Sequence, residues 1–98
     1  MKQIYSMITT YKKDPFLSIL PQLDVHGFTD DTVMIVVNDF IYENYRLGKS
    51  KVCVIHGKGQ GILKRRIHHN LKYNKYVNNF YLYNFNIGCT IIELKKEV

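Results

Sequence analysis

Six residues near the middle of the chain, Lys51-Val52-Cys53-Val54-Ile55-His56, do most to limit the folds open to it. The run is nearly continuous in apolar side chains and too short for a helix, so it reads as a β-strand covered on both faces. The residues around it say what does the covering. Upstream, Val33, Val36, Val37, Phe40, Ile41, Tyr45 and Leu47 recur at helical spacing, and Gly48 is a natural stop, which predicts an amphipathic helix over residues 30–47. Thr29 is its expected N-cap, with Asp30 and Asp31 in the first turn against the positive end of the helix dipole. Before it, residues 22–26 form a short extended segment ended by Gly27. After the central strand, Gly57-Lys58-Gly59-Gln60-Gly61 is a loop, and Leu63, Ile67 and Leu71 at i, i+4, i+8 predict a second helix over 62–73. Residues 77–85 and 89–95 then alternate as strands, with Asn84, Asn86 and Gly88 in the turn between them.

The order is β-α-β-α-β-β. A strand–helix–strand unit implies a parallel pair with a right-handed crossover, and the closing two strands are close enough for a hairpin. The expected fold is therefore α/β (α+β): a two-layer sandwich of one mixed four-stranded sheet and two helices. Residues 1–21 are expected to be an N-terminal arm and 22–98 the domain. Asp14-Pro15 marks a turn, and Phe16, Leu17, Ile19 and Leu20 would dock the arm on the body.

Ninety-eight residues with 46% hydrophobic content make one domain, not a disordered chain. No apolar run is long enough to span a membrane, and the N-terminus has no apolar block of the secretory kind. Cys53 and Cys89 stand alone, without a CxxC pair, and read as small core residues of a reduced, cytoplasmic protein. Fourteen Lys and Arg against eight Asp and Glu give a net charge of +6, which favours a polyanionic partner, nucleic acid above all.

Asp24, His26 and His56 are the residues with chemistry. Each histidine ends a strand and precedes a glycine, and ligands of open α/β sheets bind beyond the carboxyl ends of strands. If the two strands are neighbours, both rings border one crevice. Asp24 shares the face of His26, about 6.5–7 Å along the strand, within reach to orient its imidazole. Gly57, Gly59 and Gly61 let backbone approach a ligand, and the loop runs into a helix N-terminus whose free N–H groups attract phosphate. Lys58, Lys64, Arg65 and His68 add cationic groups nearby. The spacing GxGxG is neither a P-loop nor a dinucleotide fingerprint. His68 and His69 also read as solvated positions of the second helix. Tyr73, Tyr76, Tyr81 and Tyr83 are candidates to stack on bases, beside the plainer reading as sheet and core packing.

LDVHG at 23–27, HGKGQG at 56–61 and GCTIIEL at 88–94 together resemble the small MutS-related (Smr) domain, whose usual pattern is an LDLHG-like strand, an HGxGxG loop and a closing G-x-T strand. The resemblance covers roughly residues 22–95, and Val25 stands where leucine is common. It implies a fold similar to the C-terminal domain of a bacterial translation initiation factor. It also implies nucleic-acid binding, often with endonuclease activity: nicking of DNA, or cleavage of messenger RNA on stalled ribosomes. The D-x-H of the first motif is associated with cleavage, and Asp24 and His26 retain it.

The expectation is a nucleic-acid-binding endonuclease, with RNA favoured over DNA and no cofactor. One histidine would take the 2′-hydroxyl proton, the other histidine or a lysine would serve the leaving oxygen, and loop amides with Lys58 would stabilise charge on the phosphate. Asp24, His26 and His56 also match a two-histidine, one-carboxylate metal set, but no further carboxylate stands near either histidine to orient it, and metal-independent chemistry is the expectation. A non-catalytic module that docks on nucleic acid or the ribosome is the rival.

Overall fold

In a computed structural model of the chain, described over residues 15–29, 31–59, 61–83 and 86–96, the central apolar run forms a strand, β2 (Lys51–Ile55), and four of its five residues are buried. It lies inside a four-stranded sheet. β1 (Gln22–Asp24) pairs with it in parallel, and β4 (Asn86–Leu94) pairs on its other side antiparallel. β3 (Val77–Tyr83) closes the edge as a hairpin partner of β4, giving the order β1-β2-β4-β3. The mixed sheet and the parallel β1–β2 pair are as the sequence predicts.

Alternation along β2 explains why the run is apolar throughout. Val52 and Val54 face the helices α2 (Thr32–Arg46) and α3 (Ile62–Leu71), in one cluster with Val37, Phe40, Ile67 and Leu71. Cys53 and Ile55 face the other way, where they pack with Cys89, Ile91 and Leu17. Leu17 comes from a single helical turn, α1 (Pro15–Ser18), and is fully buried. The arm thus docks through Leu17 and, partly, Leu20, whereas Ile19 is 75% exposed. Residues 1–14 of the arm lie outside the described residues.

Helix α2 starts later than the sequence predicts. Its N-cap position is Asp31, not Thr29, and no side chain caps it. The Asp31 carboxylate instead accepts a hydrogen bond from the guanidinium of Arg66 on α3, at 2.5 Å. A charge-assisted bond to arginine outcompetes a bond to a backbone amide. Asp30 falls outside the described residues. At the other end Gly48 takes φ +78° and donates its N–H to Tyr45, so the helix stops where glycine allows it. Leu47, counted in the apolar face, lies past the last turn and is exposed. Helix α3 ends at Leu71, two residues before the expected Tyr73. The hairpin is also tighter than expected. Tyr83 pairs with Asn86, so Asn86 and Gly88 belong to β4 rather than to a turn.

Candidate functional site

β1 stops at Asp24 because the chain turns immediately afterwards. The Val25 N–H still reaches the Ile55 carbonyl at 2.8 Å, and Phe28 N–H closes back on the Val25 carbonyl at 3.1 Å. That contraction brings Asp24 and His26 into contact, closer than an extended strand would. Asp24 Oδ1 accepts the His26 backbone N–H at 3.0 Å and its ring Nδ1–H at 2.6 Å. A carboxylate can only accept, so the neutral imidazole carries its proton on Nδ1 and leaves Nε2 as a base. The ring is 70% exposed and the Asp24 side chain 14%. Nε2 makes no hydrogen bond among the described residues.

The β1–β2 register sets Asp24 beside Ile55. Alternation then puts Asp24 on the arm face of the sheet and His56, one residue beyond Ile55, on the helix face. The sequence expectation that both rings border one crevice is corrected accordingly. His26 stands in solvent, while His56 is 5% exposed. Gly57 separates them: a Cβ there would lie 3.3 Å from Cβ of His26, and its φ is +85°. Glycine is required on both counts.

Both nitrogens of His56 are engaged. Nδ1 donates to the Gly57 carbonyl at 3.0 Å, which leaves Nε2 as an acceptor. Thr90 Oγ1 lies 2.8 Å from that Nε2 and 2.7 Å from Nε2 of His68. One hydroxyl proton satisfies both contacts: Thr90 donates to His56 and accepts from His68. Burial lowers the pKa of both imidazoles. The Gly57 carbonyl partly offsets this for His56, and the nearby Lys64 charge lowers both further. His56 and His68 are thus held neutral, as a relay between the loop and α3.

A cleft of about 390 Å³ opens beside the loop. It is lined by Gly27, Phe28 and Thr29, by His56, Gly57, Lys58 and Gly59, and by Gly61, Ile62, Leu63, Lys64 and Arg66 at the start of α3. Gly61 takes the N-cap position of α3 with φ +81°, and no side chain makes a capping hydrogen bond there. Free amides, the helix dipole and Lys58 and Lys64 make the cleft a place for an anion. Of the residues expected at a phosphate, Gly57, Lys58, Gly59, Gly61 and Lys64 line it; Arg65 is exposed on α3, with Nη1 3.2 Å from where a Cβ on Gly61 would lie, and His68 lies behind His56. Asp24, His26 and His56 do not converge, and among the described residues no three His, Cys, Asp or Glu side chains are placed to hold a metal ion.

The family model of the Smr domain matches residues 23–95, which takes in β1, the glycine loop and β4. The chain belongs to the Smr domain family. Endonuclease MutS2 of Caldanaerobacter subterraneus subsp. tengcongensis is 40% identical over 80 residues, 79% of this chain and 10% of that protein. Endonuclease MutS2 of Clostridium acetobutylicum is 35% identical over 81 residues, 80% of this chain and again 10% of the relative. The chain therefore spans about a tenth of the length of these curated relatives. The crystal structure of the Smr domain of Thermus thermophilus MutS2 superposes with a TM-score of 0.72 at 28% identity, covering 76% of this chain and 96% of that one. Within this Smr domain, sequence reasoning missed Phe28 as a cleft residue and Thr90 as the hub of the histidine relay, and it offered Arg66 only as one of the helix cations that could follow a phosphate backbone. Thr90 had one usable signal: it is a polar residue set between the apolar Cys89 and Ile91-Ile92 of its strand.

Proposed function

We propose that this Smr domain is a nucleic-acid-binding endonuclease that cleaves single-stranded RNA in preference to DNA without a metal ion, with messenger RNA on a stalled ribosome, in the cytoplasm, as its setting in the cell. The observation that carries the proposal is the Asp24–His26 pair: an exposed imidazole with one nitrogen tied to a carboxylate at 2.6 Å and the other open to a substrate. The MutS2 relatives, described as endonucleases, point to the same class of chemistry.

The RNA phosphate sits at the glycine loop and the N-terminus of α3. His26, whose Cβ lies against Gly57 at the rim of that loop, removes the 2′-hydroxyl proton with Nε2, and the freed oxygen attacks the adjacent phosphorus. The bond to the 5′-oxygen breaks, and the Lys58 ammonium supplies its proton. The products are a 2′,3′-cyclic phosphate and a 5′-hydroxyl, and solvent restores both side chains. Asp24 keeps the imidazole in the right tautomer and stabilises its positive form. Loop amides stabilise charge on the phosphoryl oxygens. His56 positions the loop from below rather than touching substrate.

His26→Ala is expected to lower single-stranded RNA cleavage by about 10²-fold or more while leaving binding within a few-fold. A single 2′-deoxy sugar at the scissile position is expected to block cleavage there, and excess chelator to leave it intact. Undiminished cleavage by pure His26→Ala protein overturns the assignment. A second reading, a module that binds without cutting, is favoured by one observation: the second imidazole of the motif pair is buried and fully hydrogen-bonded. Salt-sensitive binding with no turnover on RNA, duplex DNA or branched DNA would establish it.

A further inference from the structure

Helix α3 has the cleft at its first turn and a second depression at its last. The second, about 370 Å³, is lined by Asn38 of α2 and by Asn70, Tyr73, Asn74, Lys75 and Tyr76. Its parts differ in how far they are already committed. Tyr76 is a wall, packed on Tyr45 and Tyr42 with ring centroids 4.6 and 5.2 Å away. Asn74 is engaged at both ends of its amide, donating to Asn38 Oδ1 at 3.2 Å and accepting the Tyr76 N–H at 2.8 Å. The Asn38 amide nitrogen and the whole Asn70 amide have no partner among the described residues, and both side chains are half-buried at the depression. Tyr73 is 76% exposed and, among the described residues, touches another ring only at His69, edge to face at 5.5 Å.

A bare aromatic ring beside unpaired amides offers what a nucleobase needs: a stacking face, and donors and acceptors for its edge. The route to it is cationic. Arg65, His69 and Lys72 are exposed at i, i+4, i+7, along one face of α3 from the glycine loop towards Tyr73. Among the described residues no acidic side chain lines either depression, and the helix between them carries none. At about 1.5 Å per residue, its ten residues separate the two ends by about 15 Å, a span of a few nucleotides of single strand.

Resting on the nucleic-acid reading above, we propose that the depression at the C-terminal end of α3 is a second subsite, which seats one base of a single strand on Tyr73 while the phosphate a few nucleotides away sits at the glycine loop. Affinity then grows with strand length until the strand reaches Tyr73, and the subsite sets which linkage is presented to His26.

The test measures binding of 2′-O-methyl oligonucleotides of about ten residues, which the proposed reaction cannot cleave, to the wild type, Tyr73→Ala and Tyr73→Phe. Tyr73→Ala is expected to bind about tenfold more weakly and Tyr73→Phe nearly as well as wild type, since phenylalanine keeps the stacking face. An abasic site walked along the strand is expected to weaken wild-type binding at one position and to have no effect there in Tyr73→Ala. If Tyr73→Ala binds like wild type with the same salt dependence, the subsite is refuted and the nucleic-acid reading stands. If the wild type shows no salt-sensitive binding to any oligonucleotide, that reading falls and the subsite with it.

Discussion

Thr90 shows how much one hydroxyl can carry. It is fully buried, and two imidazoles from different elements meet on its oxygen at 2.8 and 2.7 Å. Replacing it by valine keeps the shape and removes both bonds, leaving the acceptor of His56 and the donor of His68 without partners. A buried polar group stranded in this way costs about 1–3 kcal/mol. Thr90→Val is therefore expected to melt roughly 5–20 °C below wild type in a thermal scan. A melting temperature within about a degree of wild type would mean that the relay contributes nothing to stability. Nothing in the local sequence joins Thr90 to His56, 34 residues away. Asp24 and His26 are different, because they are two residues apart and need only the local turn after β1 to meet.

At the scale of elements, α1 is the least obvious contributor. It is only four residues long and has no helical stability of its own. Yet it supplies Leu17 to the cluster that covers Cys53, Ile55, Cys89 and Ile91 on the sheet face opposite α2 and α3. Leu17→Ala is expected to cost about 2–4 kcal/mol in urea denaturation. Ile19→Ala, two residues on and 75% exposed, is expected to change stability by less than about 0.5 kcal/mol. Equal effects at the two positions would mean that the arm does not dock. The longer elements were legible because their periodicity is strong: Val37, Phe40 and Ile41 in α2, and Ile67 and Leu71 in α3, are buried as their spacing requires. Element ends were less legible. At the start of α2 the N-cap position falls to Asp31 rather than Thr29, and its carboxylate pairs with Arg66, 35 residues distant.

The two lowered imidazole pKa values have a consequence for the whole molecule. The native state holds His56 and His68 neutral, mainly by burial, whereas in the unfolded chain they take up protons near their ordinary value of about 6.5. Below that value the unfolded state binds more protons, so stability falls as pH drops towards the lowered native values; above about 7 the term vanishes. Melting temperature is expected to be flat from about pH 7 to 8 and to decline between about pH 6.5 and 5, before carboxylates titrate. His68→Gln is expected to flatten part of that decline. A wild-type melting temperature that holds or rises on going from pH 7 to 5 would show that the two rings are not held neutral in the fold.

The sequence by itself determined the elements, the parallel β1–β2 unit and the place where chemistry could gather, because periodicity, glycine and short-range contacts are local properties. It placed the Asp24–His26 pair and the glycine loop at strand ends, and it carried the motifs by which the family is recognised. The tertiary structure alone decided which imidazole faces water. That depends on the β1–β2 register, and in a strand a shift of one residue exchanges the two faces. It also decided that Thr90 bridges His56 to His68 and that Asn38 joins Asn70 and Tyr73 at the far end of α3. Those neighbours are set by packing of distant segments, which no local pattern encodes.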